Sequence, residues 1–357
     1  MRRPARNDGS SPPARRLHYT SDADPGIVRR RAGRGFSYRG VDGRPVAAHV
    51  RRWIEGLAIP PAWRDVWISA DPDGHLLATG RDARGRKQYR YHEAYRSRKD
   101  AAKFDRLGAF GRSLPRLRRQ VAADLGLPGL ARDKVLGAMV ALLEETSIRV
   151  GNEDYTRENG SFGLTTLRSR HATVTGERVR FTYRGKSGRL HRVGLHDRRL
   201  ARIVRRCQEL PGQRLFQYED EAGDWRVVSS DDVNDYIRTA TGGDFTAKDF
   251  RTWVGTWVAF TALAATTANE AADGGGTGDV AGRRAAKRAV TDAVAAAADR
   301  LGNTPAVARR AYIDPRVEAA FDHHALPTAI RPARSRWRKA GEPELIAILG
   351  ARRRRAS

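Results

Sequence analysis

The sequence predicts an α+β protein in two parts, a small β-rich amino-terminal domain followed by a mainly α-helical domain that carries a small antiparallel sheet. Three observations lead there. Short alternating runs joined by strong turn sequences fill the first hundred residues. Beyond Arg98, apolar residues recur at intervals of three and four. Within that helical region lies one clear hairpin, "FTYRGKSGRLH".

Residues 1–26 read as a basic disordered arm, because "MRRPARNDGSSPPARR" is rich in Pro, Ser and Arg and has no apolar core for a targeting peptide. Residues 27–100 form the β-rich domain. There "DVWISA", "HLLATG" and "RKQYRYH" are strand-like and are joined by "DPDG" and "DARG", which predicts a meander. Upstream, "AAHVRRWIEGL" sets Val50, Trp53, Ile54 and Leu57 on one helix face, suited to cover that sheet. Along the last strand Arg86, Gln88, Arg90 and His92 alternate with Lys87, Tyr89 and Tyr91. That pattern fits either a surface offered to a nucleic acid backbone or an edge strand whose charges discourage aggregation.

Residues 101–325 form the second domain. Phe104, Leu107, Phe110, Leu114, Leu117, Val121 and Leu125 mark a helix interrupted near Pro115, and "DKVLGAMVALLEETS" marks the next, running into "IRVGNEDY". Short strands are expected at "LTTL", "HATVTG" and "ERVRFTY", then helices at "LHDRRLARIVRRCQEL" and "SSDDVNDYIRTAT". In "DFTAKDFRTWVGTWVAFTAL", Thr246 and Asp249 resemble a capping box, which puts Arg251 in the second turn of a long buried helix. "ADGGGTGDVAG" reads as a loop, followed by an Ala-rich helix from about Arg283 to Leu301. Thr304 before Pro305 opens another helix, which contains Tyr312. Residues 326–357 read as a mobile basic tail.

The Gly-Lys-Ser of the hairpin invites comparison with a nucleotide-binding loop. That loop needs a glycine where this chain has Arg180, and the alternating flanks make Gly185-Lys186-Ser187-Gly188 a turn between strands. Alone, Lys186 is either a solvated turn lysine or a long cation reaching into a cleft.

Composition narrows the partner. In 357 residues, 67 Lys and Arg stand against 41 Asp and Glu, a formal net charge of +26 that makes a polyanion the first ligand to consider. The single cysteine, Cys207, excludes an intrachain disulfide and a cysteine metal cluster and suits a reducing compartment. The adjacent His323 and His324 do not face one another on a helix and have no matching ligands, so no metal site is expected. The most apolar run, "WVGTWVAFTALAATTA", is short and broken by threonines, so no membrane span is expected.

Four separated segments, "IRVGNEDY", "RGKSG", "KDFRTW" and "LGNTPAVARRAYIDP", resemble in order the catalytic motifs of the type IB DNA topoisomerases, in particular the compact poxvirus-like enzymes of bacteria. "IPPAWRDVWI" and "GRDARGRKQYRYH" resemble that family's amino-terminal domain, so the likeness spans roughly residues 27–325. It implies the DNA breaking-rejoining enzyme fold and a two-domain clamp on double-stranded DNA. Supercoils would be relaxed through a 3′-phosphotyrosyl intermediate, by a cytoplasmic, nucleoid-associated monomer with no nucleotide or other cofactor.

Carried over, the resemblance makes Tyr312 the nucleophile, Arg149 and Arg251 the phosphate clamps and Lys186 the general acid. Asn303 stands where many relatives have histidine, so a role that needs this residue to titrate does not transfer. Arg309 and Arg310 are expected as DNA-backbone contacts, and Arg81, Arg86, Gln88 and Tyr89 as further DNA contacts on a looser match. Without the set, Tyr312 would read as a half-buried core tyrosine, Arg149 as a helix-end cation and Arg251 as a surface helix charge. Two other readings use the same residues: a tyrosine recombinase, against which the β-meander and Asn303 weigh, and a noncatalytic nucleoid-type DNA-binding protein.

Overall fold

The computed structural model describes residues 16–83, 85–272, 280–332 and 338–350. The chain divides into two compact units, Met1–Lys103 and Phe104–Ser357.

In the first unit β1 (Ile27–Ala32), β2 (Gly35–Arg39), α1 (Ala48–Gly56), β3 (Arg64–Ile68), β4 (Leu76–Arg81), β5 (Lys87–Tyr91) and α2 (Glu93–Asp105) follow in order. The five strands form one sheet in the order β2-β1-β3-β4-β5, with antiparallel neighbours throughout. Ile27, Val66, Ile68 and Ala78 are buried from the sheet and Ile54 from α1, and Val50, Trp53 and Leu57 pack around them. Burying that face holds a nine-residue helix too short to persist alone.

The segment just before β1 departs from expectation. Instead of a disordered arm reaching to residue 26, residues 18–24 are pinned to the sheet. His75 N donates to His18 O at 2.8 Å, Thr20 Oγ1 to Leu76 O at 2.9 Å and Trp67 Nε1 to Asp24 O at 2.9 Å, while Asp22 pairs with Lys87 at 2.6 Å. Polar side chains here satisfy sheet groups more than fifty residues away, a pairing that local composition does not reveal.

The second unit runs α3 (Leu107–Asp124), α4 (Arg132–Thr146), α5 (Glu153–Asn159), β6 (Ala172–Thr175), β7 (Arg178–Arg184), β8 (Leu190–His196), α6 (Arg198–Gln208), β9 (Gln217–Glu219), β10 (Trp225–Val227), α7 (Ser230–Thr241), α8 (Ala247–Ala272), α9 (Val280–Leu301), α10 (Pro305–Tyr312), α11 (Pro315–Asp322) and α12 (Glu342–Gly350). Strands β6-β7-β8 form an antiparallel sheet of three, and β9 and β10 a separate pair. Long α8 lies at the centre and buries Phe250, Trp253, Phe260 and Leu263; Phe250 and Trp253 pack on α3, whose Phe110 meets Phe250 edge to face at 5.1 Å.

Three expectations change here. Helix α3 is continuous through Pro115: the fully buried Phe110, Leu114 and Leu117 offset a proline penalty of about 3 kcal/mol. "LTTL" is a 3₁₀ turn, because Thr166 Oγ1 accepts from Gly163 N at 2.9 Å and curls the chain out of a strand. Within the expected tail, Glu342–Gly350 is a helix that buries Glu342, Leu345 and Leu349. Trp257 Nε1 on α8 donates to Ala340 O at 3.0 Å, and Arg118 on α3 pairs with Glu342 at 2.6 Å. The expected glycine-rich loop lies largely outside the described residues.

Candidate active site

Helix α4 ends at Ser147, which adopts a left-handed conformation (φ 57°, ψ 21°) and donates its N–H to Leu143 O. Such a backbone is costly for a residue other than glycine and tends to occur where function requires it. The reversal buries Ile148 and leaves Arg149 half-buried on the following loop. That loop is pinned by Leu164 N to Arg149 O at 2.8 Å and by Thr165 N to Val150 O at 2.7 Å. Gly151 and Gly163 pass so closely that a Cβ on Gly163 would lie 2.5 Å from Gly151 Cα.

Arg251, in the second turn of α8, is only 5% exposed. Its guanidinium donates Nη1 to Ser147 O and Nη2 to Leu301 O, the latter at 2.8 Å, bridging the ends of α4 and α9. The Thr246–Asp249 pair holds the start of α8, with Thr246 N donating to Asp249 Oδ2 at 2.8 Å. One turn past Arg251, Gly255 and Thr256 receive the end of α10. A Cβ at Gly255 would lie 2.7 Å from Tyr312 O, and Thr256 Oγ1 donates to Tyr312 O and accepts from Asp314 N, both at 3.1 Å. Tyr312 is thereby docked with its ring centre 5.1 Å from Arg251 Cζ. Just before α10, which Thr304 caps, Asn303 Oδ1 accepts from Arg149 Nη2 at 2.7 Å.

A cavity of about 210 Å³ lies here, lined among others by Ser147, Arg149, Tyr183, His191, Arg251 and Asn303. Buried polar atoms without partners are rare in folded proteins, yet Ser147 Oγ, Arg251 Nε and Asn303 Nδ2 are all buried and unpaired. Two of these three are obligate N–H donors, so the site suits an anion.

The electrostatics agree. Burial pushes the Tyr312 phenol up, but Arg251, then Arg149 and Lys248, outweigh burial and hold it below its ordinary value. Burial, followed by repulsion from Arg149, lowers Arg251. Tyr183, with no such excess of cations to offset its burial, is pushed up to about 12. Burial and the charges of Arg149, Arg251 and Arg189 push His191 below the usual histidine value.

The expected site residues thus fall into groups. Tyr312, Arg149, Arg251 and Asn303 converge through these contacts. Lys186 is exposed on the turn between β7 and β8, and among the described residues no hydrogen bond or ion pair holds its ammonium. Arg309 and Arg310 are exposed on α10, where Arg309 makes a two-pronged pair with Glu318, at 3.1 and 2.6 Å. Arg81, Arg86, Gln88 and Tyr89 belong to the first unit. Asp82 holds Arg86 at 2.6 Å and Gln88 at 2.9 Å, Arg81 donates to Gly85 O at 3.0 Å, and Tyr89, 48% exposed, stacks on Tyr91.

Sequence reasoning did not find Ser147, Tyr183, His191, Lys248 or Thr256. Their roles arise from backbone reversals and from packing between segments distant in the chain, which local patterns do not reveal. Among the described residues no group of three or more His, Cys, Asp or Glu side chains is placed to hold a metal ion, and no helix is long and apolar enough to cross a membrane.

A helical unit carrying a small antiparallel sheet, with two arginines near a half-buried tyrosine beside unpaired N–H donors, is a site suited to a phosphate. The family model described as eukaryotic DNA topoisomerase I, catalytic core, matches residues 92–322, and that described as bacterial DNA topoisomerase IB, N-terminal domain, matches residues 35–82. DNA topoisomerase 1B of Acanthamoeba polyphaga mimivirus is 32% identical over 293 residues, covering 81% of this chain and 85% of that protein. DNA topoisomerase 1 of Rabbit fibroma virus (strain Kasza) is 23% identical over 245 residues, covering 67% of this chain and 69% of that protein. The chain belongs to the type IB DNA topoisomerases, and its substrate is DNA.

Proposed function

We propose that this enzyme relaxes supercoiled duplex DNA by cutting one strand through Tyr312, letting the duplex rotate and resealing the strand, as a monomer on the nucleoid without nucleotide, metal or other cofactor. Tyr312 Oη attacks phosphorus as the phenol gives up its proton to solvent. The bond from phosphorus to the 5′-oxygen breaks, leaving a 3′-phosphotyrosyl link and a 5′-oxygen that takes a proton from the Lys186 ammonium. Religation is the reverse, and the phosphodiester energy is retained in the covalent link.

The observation that carries this reading is the position of Arg251 against the Tyr312 ring, with the same arginine lining a cavity that holds unpaired donors. A phenol with an ordinary pKa of about 10 is a weak nucleophile near neutrality, and a buried guanidinium beside it favours the phenolate. Arg149 and Arg251 suit the charge that develops on the nonbridging oxygens. Guanidinium stays protonated and binds phosphate with paired hydrogen bonds, and losing one such donor costs about a hundredfold or more in rate. Asn303 Nδ2 adds a neutral donor. Lys186, exposed on a turn, is free to deliver its proton.

The test is incubation with supercoiled plasmid in EDTA without ATP, for the wild type and for Tyr312→Phe. Relaxation by the wild type alone, with DNA trapped covalently on it by denaturant, is the expected result. Relaxation by Tyr312→Phe would remove Tyr312 as nucleophile, and binding without relaxation by either protein would leave only a DNA-binding role.

A further inference from the structure

His191 faces Tyr183 across the ladder of β7 and β8, and the two rings stack with centroids 5.3 Å apart and planes 13° from parallel. The imidazole fills a slot with glycine backbone on both sides. A Cβ at Gly185 would lie 2.5 Å from His191 Cδ2 and 2.7 Å from Nε2; one at Gly302 would lie 2.6 Å from Cε1 and 2.9 Å from Nδ1. No side chain fits at those distances, so both flanking positions require glycine while the ring is there. Gly185 opens the turn that carries Lys186, and Gly302 directly precedes Asn303, the partner of Arg149. A single ring therefore touches the base of the lysine turn and the base of the tyrosine helix.

We infer that His191 is a positioning residue for the proton donor: it spaces the Lys186 turn from the Gly302–Asn303 turn and so fixes where the ammonium is delivered. The inference rests on Lys186 being the general acid. The paired strands end at Arg184 opposite Leu190, and beyond them the turn is closed by Gly185 N to Arg189 O at 2.8 Å and Gly188 N to Gly185 O at 3.0 Å. Lysine adds four flexible carbons, so its reach is set by how firmly the backbone at Gly185 is held. A misplacement of about 1 Å at a reacting group costs on the order of a hundredfold in rate. Imidazole suits the slot because it is flat, narrower than a six-membered ring and neutral beside the guanidiniums of Arg149, Arg251 and Arg189.

The experiment is single-turnover cleavage of two duplexes that differ at the scissile phosphate, one with the natural 5′-oxygen and one with a 5′-sulfur, which departs as a stable thiolate without being protonated. Lys186→Ala, His191→Ala and His191→Phe are compared with the wild type. Lys186→Ala is expected to be slow on oxygen and restored on sulfur. His191→Ala is expected to be slowed about tenfold or more on oxygen, a fraction of the loss for a misplaced group, and to come within about twofold of wild type on sulfur, where the donor is not needed. His191→Phe, which returns a flat ring to the slot, should fall between them on oxygen. Equal slowing of His191→Ala on both substrates, or no slowing on either, overturns the inference while leaving Lys186 as donor. Failure of sulfur to restore Lys186→Ala removes the donor itself, and the inference with it. Should His191→Ala not fold, the ratio of oxygen to sulfur rates in His191→Phe decides by the same criterion.

Discussion

The Arg251 guanidinium carbon lies 5.1 Å from the centre of the Tyr312 ring, while two of its nitrogens are bound to the carbonyls of Ser147 and Leu301. The cation is thus held by the backbone ends of two other helices and needs no carboxylate. Its positive charge remains available to the phenol and to an incoming phosphate. A salt bridge would have cancelled much of it.

Removing that cation should therefore act on Tyr312 as well as on phosphate. In Arg251→Ala, burial of the phenol loses its largest opposing charge, so the Tyr312 pKa rises. Single-turnover cleavage should drop about a hundredfold or more, and the limb along which cleavage increases with pH should move to higher pH. Arg251→Lys keeps a charge but cannot reach both carbonyls in the same way and should fall between. A pH series that shows a lower rate with an unmoved limb would separate Arg251 from the phenol.

The docking of Tyr312 on α8 predicts a second class of defect. Gly255→Ala places a methyl group 2.7 Å from Tyr312 O, and Thr256→Val removes both hydrogen bonds of the hydroxyl. Both variants should retain DNA binding and cleave about tenfold more slowly or worse, since the proposed nucleophile is displaced. Gel shift and rapid-quench cleavage, measured together, check this. Wild-type cleavage by Gly255→Ala would mean that α10 tolerates the shift.

Acid should destabilise the second unit through two half-buried histidines. His191 is held low by burial and by Arg149, Arg251 and Arg189. His171 is likewise held below the usual value, first by burial and then by Arg170 and Arg168, and its Nδ1 accepts from Arg168 N at 3.1 Å. Each group is depressed in the folded state and titrates near pH 6.5 once unfolded. Stability is then full above about 6.5 and falls as pH drops, because the unfolded chain binds protons that the folded chain refuses. Melting temperature measured from pH 7.5 to 5, a window set around that value, should decline, and His171→Gln should decline less. Equal slopes would assign the acid sensitivity to other groups.

The ion cluster at Arg118 predicts a large stability loss when one member is removed. Arg118 meets Glu144 at 2.5 Å and Glu342 at 2.6 Å, all three nearly out of solvent. Arg118→Met leaves two buried carboxylates with only Lys339, whose ammonium lies 3.6 Å from Glu144 and whose backbone N–H donates to Glu342 at 2.9 Å, and should cost about 3–5 kcal/mol. Arg118→Met with Glu342→Gln should recover part of it. Urea midpoints give the comparison, and a loss below about 1 kcal/mol, the range of a surface pair, would place the cluster in water.

Much of this was legible locally. Thr304-Pro305 announced α10, Thr246 and Asp249 announced α8, and the alternation around Gly185 announced the β7–β8 hairpin. Each signal lies within a few residues of the element it marks. What sequence missed depends on distance along the chain. Thr20 and Asp22 bind sheet residues more than fifty positions away, and α12, nine residues long beside an arginine-rich stretch, is held by Leu345 and Leu349 in a core built mostly upstream. His191 shows the limit most clearly: its alternation marks the inward face of β8, but the glycine walls belong to two turns that only folding brings together.

Glu342 reaches Arg118 across 224 positions, and Arg316, four residues past Tyr312, binds Phe104 O at the start of the second unit and Leu349 O near its end. Contacts this distant in the chain are slow to form and are made late. During synthesis, when domains fold as their segments emerge, Arg118 and Glu144 await a partner made 224 residues after Arg118. The scaffold around Arg251 and Tyr312 is therefore closed only once residues beyond that tyrosine have emerged.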